Sequence, residues 1–346
     1  MEGTMDTVKA QTSKPLWPGR RWRTSGIVLA LMAALFEAFV LISDTNVMTN
    51  VITHEQGIVA VLVYLTMGSW IGVTLNYVYN RLFGPTIDPT FTGEKWIGGT
   101  QGLWVAVAGI TGALGTFAYL FVAGKGDPSI LIALSNVSLI YLALYDAKDY
   151  RGKSVVLVVI AAAMVLIGAG LASVNNLGAG LTITVMDLVL LVVFRGGFKA
   201  IGSIAIFKVR ETENMVNVAF WRFVWLAITG TVLTLLVAGY LGVLDEYFAL
   251  MTGVWWKAFP WVMLTMFLAY GGNTLAIVAQ KYERASTVSM ITNANNVMAV
   301  PVTLVAAWAL PGMFDLPEGA VIWLLRLIGS ALIVLGIFMV PKEKHD

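Results

Sequence analysis

The chain has no cysteine, and its only histidines are His54 and His345. The first absence excludes disulfides, thiolate metal sites and cysteine nucleophiles. The second removes most metal and histidine-base chemistry, because both histidines fall outside the apolar segments. Charge is scarce as well, at 12% of residues, where soluble domains carry roughly 25%. A formal net charge of +2 is too small for the basic footprint of a nucleic-acid binder. What remains is apolar: 58% of the residues are hydrophobic. This composition is expected of an all-α polytopic membrane protein with the lipid bilayer as its surroundings. Nothing in it asks for a cofactor.

Residues 1–24 read as a polar tail and 341–346 as a second one. Between them lie ten apolar segments, at 25–45, 58–80, 102–123, 128–145, 154–173, 181–208, 215–240, 259–280, 286–309 and 319–340. Each approaches the ~20 residues that cross a bilayer as a helix. Leu241–Ala258 contains Trp255 and Trp256 and reads as a loop at the interface, where tryptophan is favoured. Arg20, Arg21 and Arg23 precede the first apolar run and imitate a secretory signal. Glu37 interrupts that run and no small-x-small cleavage site follows, so the segment reads as a retained helix. With the amino terminus inside, sixteen of the 22 Lys and Arg residues fall on the cytoplasmic side. Only Lys125 and Lys257 fall outside. This positive-inside bias predicts a multi-pass protein of the cytoplasmic membrane with both termini cytoplasmic.

The chain also repeats itself. ALGTFAYLFVAGKGD from Ala113 matches AYGGNTLAIVAQKYE from Ala269 at Ala113/Ala269, Gly115/Gly271, Ala123/Ala279 and Lys125/Lys281. Gly168 and Gly336 correspond further on, and the loop Ala309–Ala320 accounts for the extra residues. The Lys125 loop is predicted outside and the Lys281 loop inside, so the halves are inverted. Residues 25–178 and 179–340 thus read as two inverted five-helix repeats, an architecture of many secondary transporters.

Charges inside apolar segments mark the candidate site. Gly180–Arg210 is long enough to span yet contains Asp187, Arg195 and Lys199. Arg195 falls near mid-depth, on a long helix or on one broken at Gly196-Gly197. A charge there costs at least ~2.5 kcal/mol and persists only facing protein or water. Lys199 lies four residues on, sharing the Arg195 face or snorkelling to the surface. Glu37 lies ~18 Å along its helix, as a proton carrier or as a partner for Arg195. The fourth segment offers Ser135 and Asn136, and the ninth offers Thr292, Asn293, Asn295 and Asn296. Buried amides need partners, from neighbouring helices or from a ligand. Tyr270, Asn273 and Tyr119 are further lining candidates, and Gly271-Gly272 allows close packing or a bend. Arg222 and Arg326 are expected to snorkel. Gly124–Asp127 and Tyr145-Asp146 imitate the GxGD and YD motifs of intramembrane aspartyl proteases. Their order is reversed, and the topology puts the two aspartates on opposite faces.

The ends of the two halves, from DPSILIALSNVSLIYLALYDAKDYRG and from RASTVSMITNANNVMAVPVTLVAAWAL, resemble those of the ten-helix EamA-like members of the drug/metabolite transporter superfamily. Pro301 stands where that family has a proline, and the fourth segment lacks its counterpart. ALFEAF at Ala34–Phe39 is similar to the first helix of the small multidrug resistance proteins, whose glutamate exchanges protons for substrate. The resemblance implies a non-enzymatic transporter, monomer or homodimer, with its site between the halves. The expected substrate-binding set is Glu37, Asn136, Arg195, Lys199, Tyr270, Asn273, Asn293 and Asn296, with Glu37 also coupling protons. The expected substrate is a small polar or zwitterionic metabolite resembling an amino acid, moved outward. A proton-coupled cationic drug, a nucleotide sugar or a lipid-linked sugar are the other cargoes the superfamily implies. A non-transporting membrane scaffold is the reading from another class.

Overall fold

The computed structural model describes residues 25–47, 51–53, 55, 57–123, 137–147, 153–172, 186, 189–295, 297–298, 302, 305, 308 and 319–339. Among these the chain is helical and contains no strand. The helices are α1 (Ser25–Asn46), α2 (Gly57–Ile87), α3 (Gly99–Ala123), α4 (Ser138–Ala147) and α5 (Lys153–Ala172). A π-helical segment, Leu190–Gly196, then runs directly into α6 (Gly197–Val209). After it come α7 (Met215–Leu241), α8 (Leu244–Ala279), α9 (Ala285–Thr292) and α10 (Ala320–Met339). Five stretches are long and apolar enough to cross a membrane: α2, residues 99–121 of α3, Leu190–Val209, α7 and α8. α1, α5 and α10 carry shorter apolar stretches. These helices fit a membrane protein. Segments 128–145 and 286–309 overlap α4 and α9, and parts of both lie outside the described residues.

One expectation is corrected. Leu241–Ala258 is not a loop: from Leu244 onward it is the first half of α8, a single helix of 36 residues. Gly242, in the left-handed region at φ 71°, ends α7 and returns its N–H to the carbonyls of Ala238 and Gly239. Asp245 and Glu246 then occupy the first turn of α8, where carboxylates complement the helix dipole. Pro260, which on the loop reading would open a helix, sits inside it. At ~1.5 Å per residue, α8 is about 54 Å long, well beyond a ~30 Å hydrocarbon core.

Packing follows small residues. Ala30, Ala34 and Ala38 recur every fourth residue on α1 and are fully buried. Ala30 packs with Ala279, Val288 and Ile291, and Ala34 with Ala294 and Ile333. On α8, a Cβ at Gly272 would stand 3.3 Å from the Ala33 carbonyl. The predicted role of Gly271-Gly272 in close packing is thus realised against α1. The α5–α10 contact is closer still. A Cβ at Gly168 would lie 2.6 Å from the Gly329 carbonyl, and one at Gly336 would lie 2.8 Å from the Ala161 carbonyl. Small residues let helix backbones approach in this way.

Polar bonds tie the loop 88–98 to the carboxyl-terminal half. Asp88 accepts from Thr90 N (3.0 Å), Thr90 Oγ1 (2.7 Å) and Lys281 Nζ (3.0 Å). Asn214 caps α7 and donates to Thr90 Oγ1 at 2.8 Å. Asn217 bonds both the N–H and the carbonyl of Lys95. Burial alone would push the Asp88 carboxyl up, but the Thr90 and Lys281 bonds outweigh it and hold the group below its ordinary range. A depressed carboxylate stabilises the fold above its unfolded pKa, and the contribution fades as pH falls through the folded value. Wild-type thermal stability is therefore expected to drop as pH falls below ~4. Asp88→Asn should flatten that acid limb; an unchanged limb would show that other carboxylates set it.

Candidate functional site

The π-helical segment sets the site. Its carbonyl of Val192 accepts from the Tyr141 hydroxyl of α4 at 3.4 Å. A π turn holds an extra residue, which rotates the flanking side chains by about 100° relative to a continuous α-helix. Arg195 lies in this segment, and Gly196 and Gly197 keep right-handed helical angles. The chain therefore changes helix type there without breaking.

Arg195 and Lys199 face a cavity of about 330 Å³ lined by α1, α2, α3, α6, α7, α8 and α9. Glu37, Tyr270 and Asn273 line it too. The structure thus brings together five of the eight residues singled out from the sequence. Glu37 Oε2 accepts from Asn295 Nδ2 at 3.2 Å. The Arg195 guanidinium lies 5.2 Å from the Tyr119 ring centroid, within cation–π range. Tyr270 stacks on Phe223 with centroids 3.9 Å apart, and its hydroxyl donates to the Ser69 carbonyl at 3.4 Å. Asn273 donates back to the Ala269 carbonyl at 2.8 Å, leaving its amide oxygen for other partners.

The remaining three stand differently. Asn293 is buried but is not among the cavity-lining residues; Thr292 and Asn295, one and two positions away, are. The 100° step per residue turns Asn293 into the packing. Asn136 and Asn296 lie outside the described residues, as do Ser135, Asp187 and the Gly124–Asp127 motif. Asp146 of the second imitation motif is buried and accepts from the Ser286 N–H at 3.1 Å.

Two functional candidates were missed. Arg222, expected to snorkel, instead lines the cavity, with its guanidinium 5.0 Å from the Phe223 ring. Arg326 is buried as well, 5.4 Å from the Trp323 ring. Position along a helix was legible; the direction around it was not. The second omission is Asp44, which lines the cavity and accepts a hydrogen bond from the Tyr64 hydroxyl. A signal existed, since Asp44 follows Glu37 by seven residues, two turns along one face.

The cavity therefore holds two acids, Glu37 and Asp44, and three bases, Arg195, Lys199 and Arg222. Among the described residues no ion pair within 4.0 Å joins any of the five. A fixed Glu37–Arg195 pair, one sequence expectation, is thus not formed. Both acids are held by neutral donors, and the guanidiniums rest on aromatic rings.

No family model matches the chain, and no curated protein matches it. The chain is similar in fold to a solved crystal structure of a protein, with 15% sequence identity and a TM-score of 0.56 over 92% of this chain and 96% of that one. At that identity the likeness concerns the fold alone.

Proposed function

We propose that this protein is a secondary transporter that moves a small zwitterionic, amino-acid-like metabolite across the cytoplasmic membrane, outward, by alternating access. The observation that carries the reading is the cavity itself. Charges of both signs line it, the acids from α1 and the bases from the π-helical segment, α6 and α7, and among the described residues no ion pair within 4.0 Å joins them. A zwitterion could satisfy both sets at once. Buried charges are expensive and mark substrate paths by default. Three cationic groups count against a cationic drug as cargo.

The packing supports two inverted five-helix repeats; ten spans and cytoplasmic termini rest on the apolar segments and the charge bias of the sequence. Adding five to each helix number, and counting on from α10 to α1, turns one packed pair into another. α1–α8 becomes α3–α6, α2–α8 becomes α3–α7, α1–α9 becomes α4–α6, and α4–α5 becomes α9–α10. The α5–α10 contact maps onto itself residue by residue: Gly168 meets Gly329, and Gly336 meets Ala161. Each of these pairs is its partner's image at the 168-residue offset of the sequence repeat. The resemblance to the drug/metabolite transporter superfamily enters here as part of the same proposal.

Flux tests the function. Proteoliposomes loaded with a labelled amino-acid mixture should release one or more species only when the protein is present. Zero flux for every amino acid would favour the scaffold reading. Topology has its own test, since no native thiol interferes. Impermeant labelling should reach Tyr240→Cys from outside and Glu211→Cys only from inside, and the reverse would sink the inverted arrangement.

A further inference from the structure

We infer that the cavity selects a substrate of net charge −1 with two anionic groups and one ammonium, the chemistry of an acidic α-amino acid. This rests on the transporter reading above and narrows it. The first observation is the charge inventory. Among the described lining residues three bases face two acids, which leaves one positive charge in excess when all are ionised. An unbalanced charge inside a membrane protein is costly, and a monoanionic ligand removes the imbalance while a neutral zwitterion does not.

The second observation is the placement of the two arginines. Arg195 comes from the π-helical segment and Arg222 from α7. Both reach the same face of α3. A Cβ at Gly115 would stand 3.6 Å from Arg195 Nη1, and one at Gly112 would stand 3.4 Å from Arg222 Nη2. Gly112 and Gly115 are three residues apart, so the two guanidiniums meet α3 at sites about 4.5 Å apart along its axis. The Nε atoms of both are buried without a hydrogen-bond partner. Guanidinium forks match carboxylates in two-point geometry. Two forks at two levels suit two carboxylates on one small molecule better than a single one.

The third is that the acids are segregated on α1. Glu37 and Asp44 are each hydrogen-bonded by a neutral donor, Asn295 and Tyr64. An ammonium would find its counter-charge on α1, and the carboxylates theirs on the π-helical segment and α7.

L-glutamate and L-glutamine differ in the second carboxylate and little in shape, so they isolate the charge. Binding of each to the purified protein is measured by thermal shift across a concentration series. Glutamate should bind at least about tenfold more tightly than glutamine, and glutarate, which lacks the ammonium, more weakly than glutamate. Arg222→Gln should bring glutamate and glutamine to parity, and Arg222→Lys should recover part of the preference. Size-exclusion profiles like wild type establish that both variants fold. Equal binding of the two amino acids by wild type, or a preference that survives Arg222→Gln, overturns the inference. The two proposals fail separately. If glutamine or another neutral amino acid is transported and glutamate is not, the transporter stands and the charge assignment falls. If no amino acid binds or moves, both fall.

Discussion

Glu37→Gln is expected to abolish accumulation driven by a pH difference while leaving the protein folded. Glu37 lies inside the apolar run of α1 and faces the cavity. Its carboxylate accepts from Asn295 and joins no ion pair within 4.0 Å among the described residues. On the transporter reading such a carboxyl alternates between protonated and ionised forms, whereas one locked to Arg195 would stay ionised. Alternation would link proton movement to substrate movement, since the charge of the α1 wall would change in each cycle. Glutamine keeps the size and a hydrogen-bonding oxygen for Asn295 but carries one fixed charge state. Flux in proteoliposomes with and without an imposed pH difference decides the matter. Wild type should accumulate substrate only with the gradient, and Glu37→Gln should give the same slow flux in both. Equal wild-type flux in the two conditions would make the protein a facilitator, with Glu37 a binding group only.

A large structural effect is expected at the α5–α10 crossing. A methyl group at Gly168 would lie 2.6 Å from a backbone carbonyl and 2.9 Å from the Ile333 N. Backbone cannot rotate aside as a side chain can, so the helices must separate. Overpacking of this kind costs about 1–3 kcal/mol, and the loss extends along the whole crossing. Gly168→Ala and Gly336→Ala should therefore lower thermal stability by similar amounts, because each meets the other helix in the same way. Gly168→Leu should give no monodisperse protein. Gly253 of α8 supplies the control, as nothing lies within 4 Å of a Cβ there; Gly253→Ala should be neutral or stabilising by up to about 1 kcal/mol. Unchanged unfolding temperatures for both close-approach variants would show that the crossing is looser than described.

Much of this was legible in the chain because bilayer physics is simple in one dimension. Apolar runs gave α1, α2, α3, α5 and α7 to within a few residues, except where α2 runs on past the expected end at residue 80 to Ile87. Glu37 and Arg195 stood out because charge is costly in apolar surroundings. What failed was rotation and length. The positions of Arg222 and Asn293 along their helices were legible and their azimuth was not, since a single residue turns a side chain by about 100°. Asp44 passed unnoticed at the end of its run, where water would make a carboxylate unremarkable. Leu244–Ala258 was misread because tryptophans are at home at an interface, and helices need not stop at the membrane edge. The excess of cations over acids needed all the helices in place at once.

The alanine stripe of α1 has a kinetic consequence. Alanine has no rotamers, so it loses no side-chain entropy on burial and has none to choose again on moving. When leucines or methionines interlock, a shift of one helix past another must wait for side chains to find new wells. Ala30 and Ala34 present α8, α9 and α10 with a surface that has no such wells. α1 carries both acids of the cavity, so a shift of this helix would carry Glu37 and Asp44 with it.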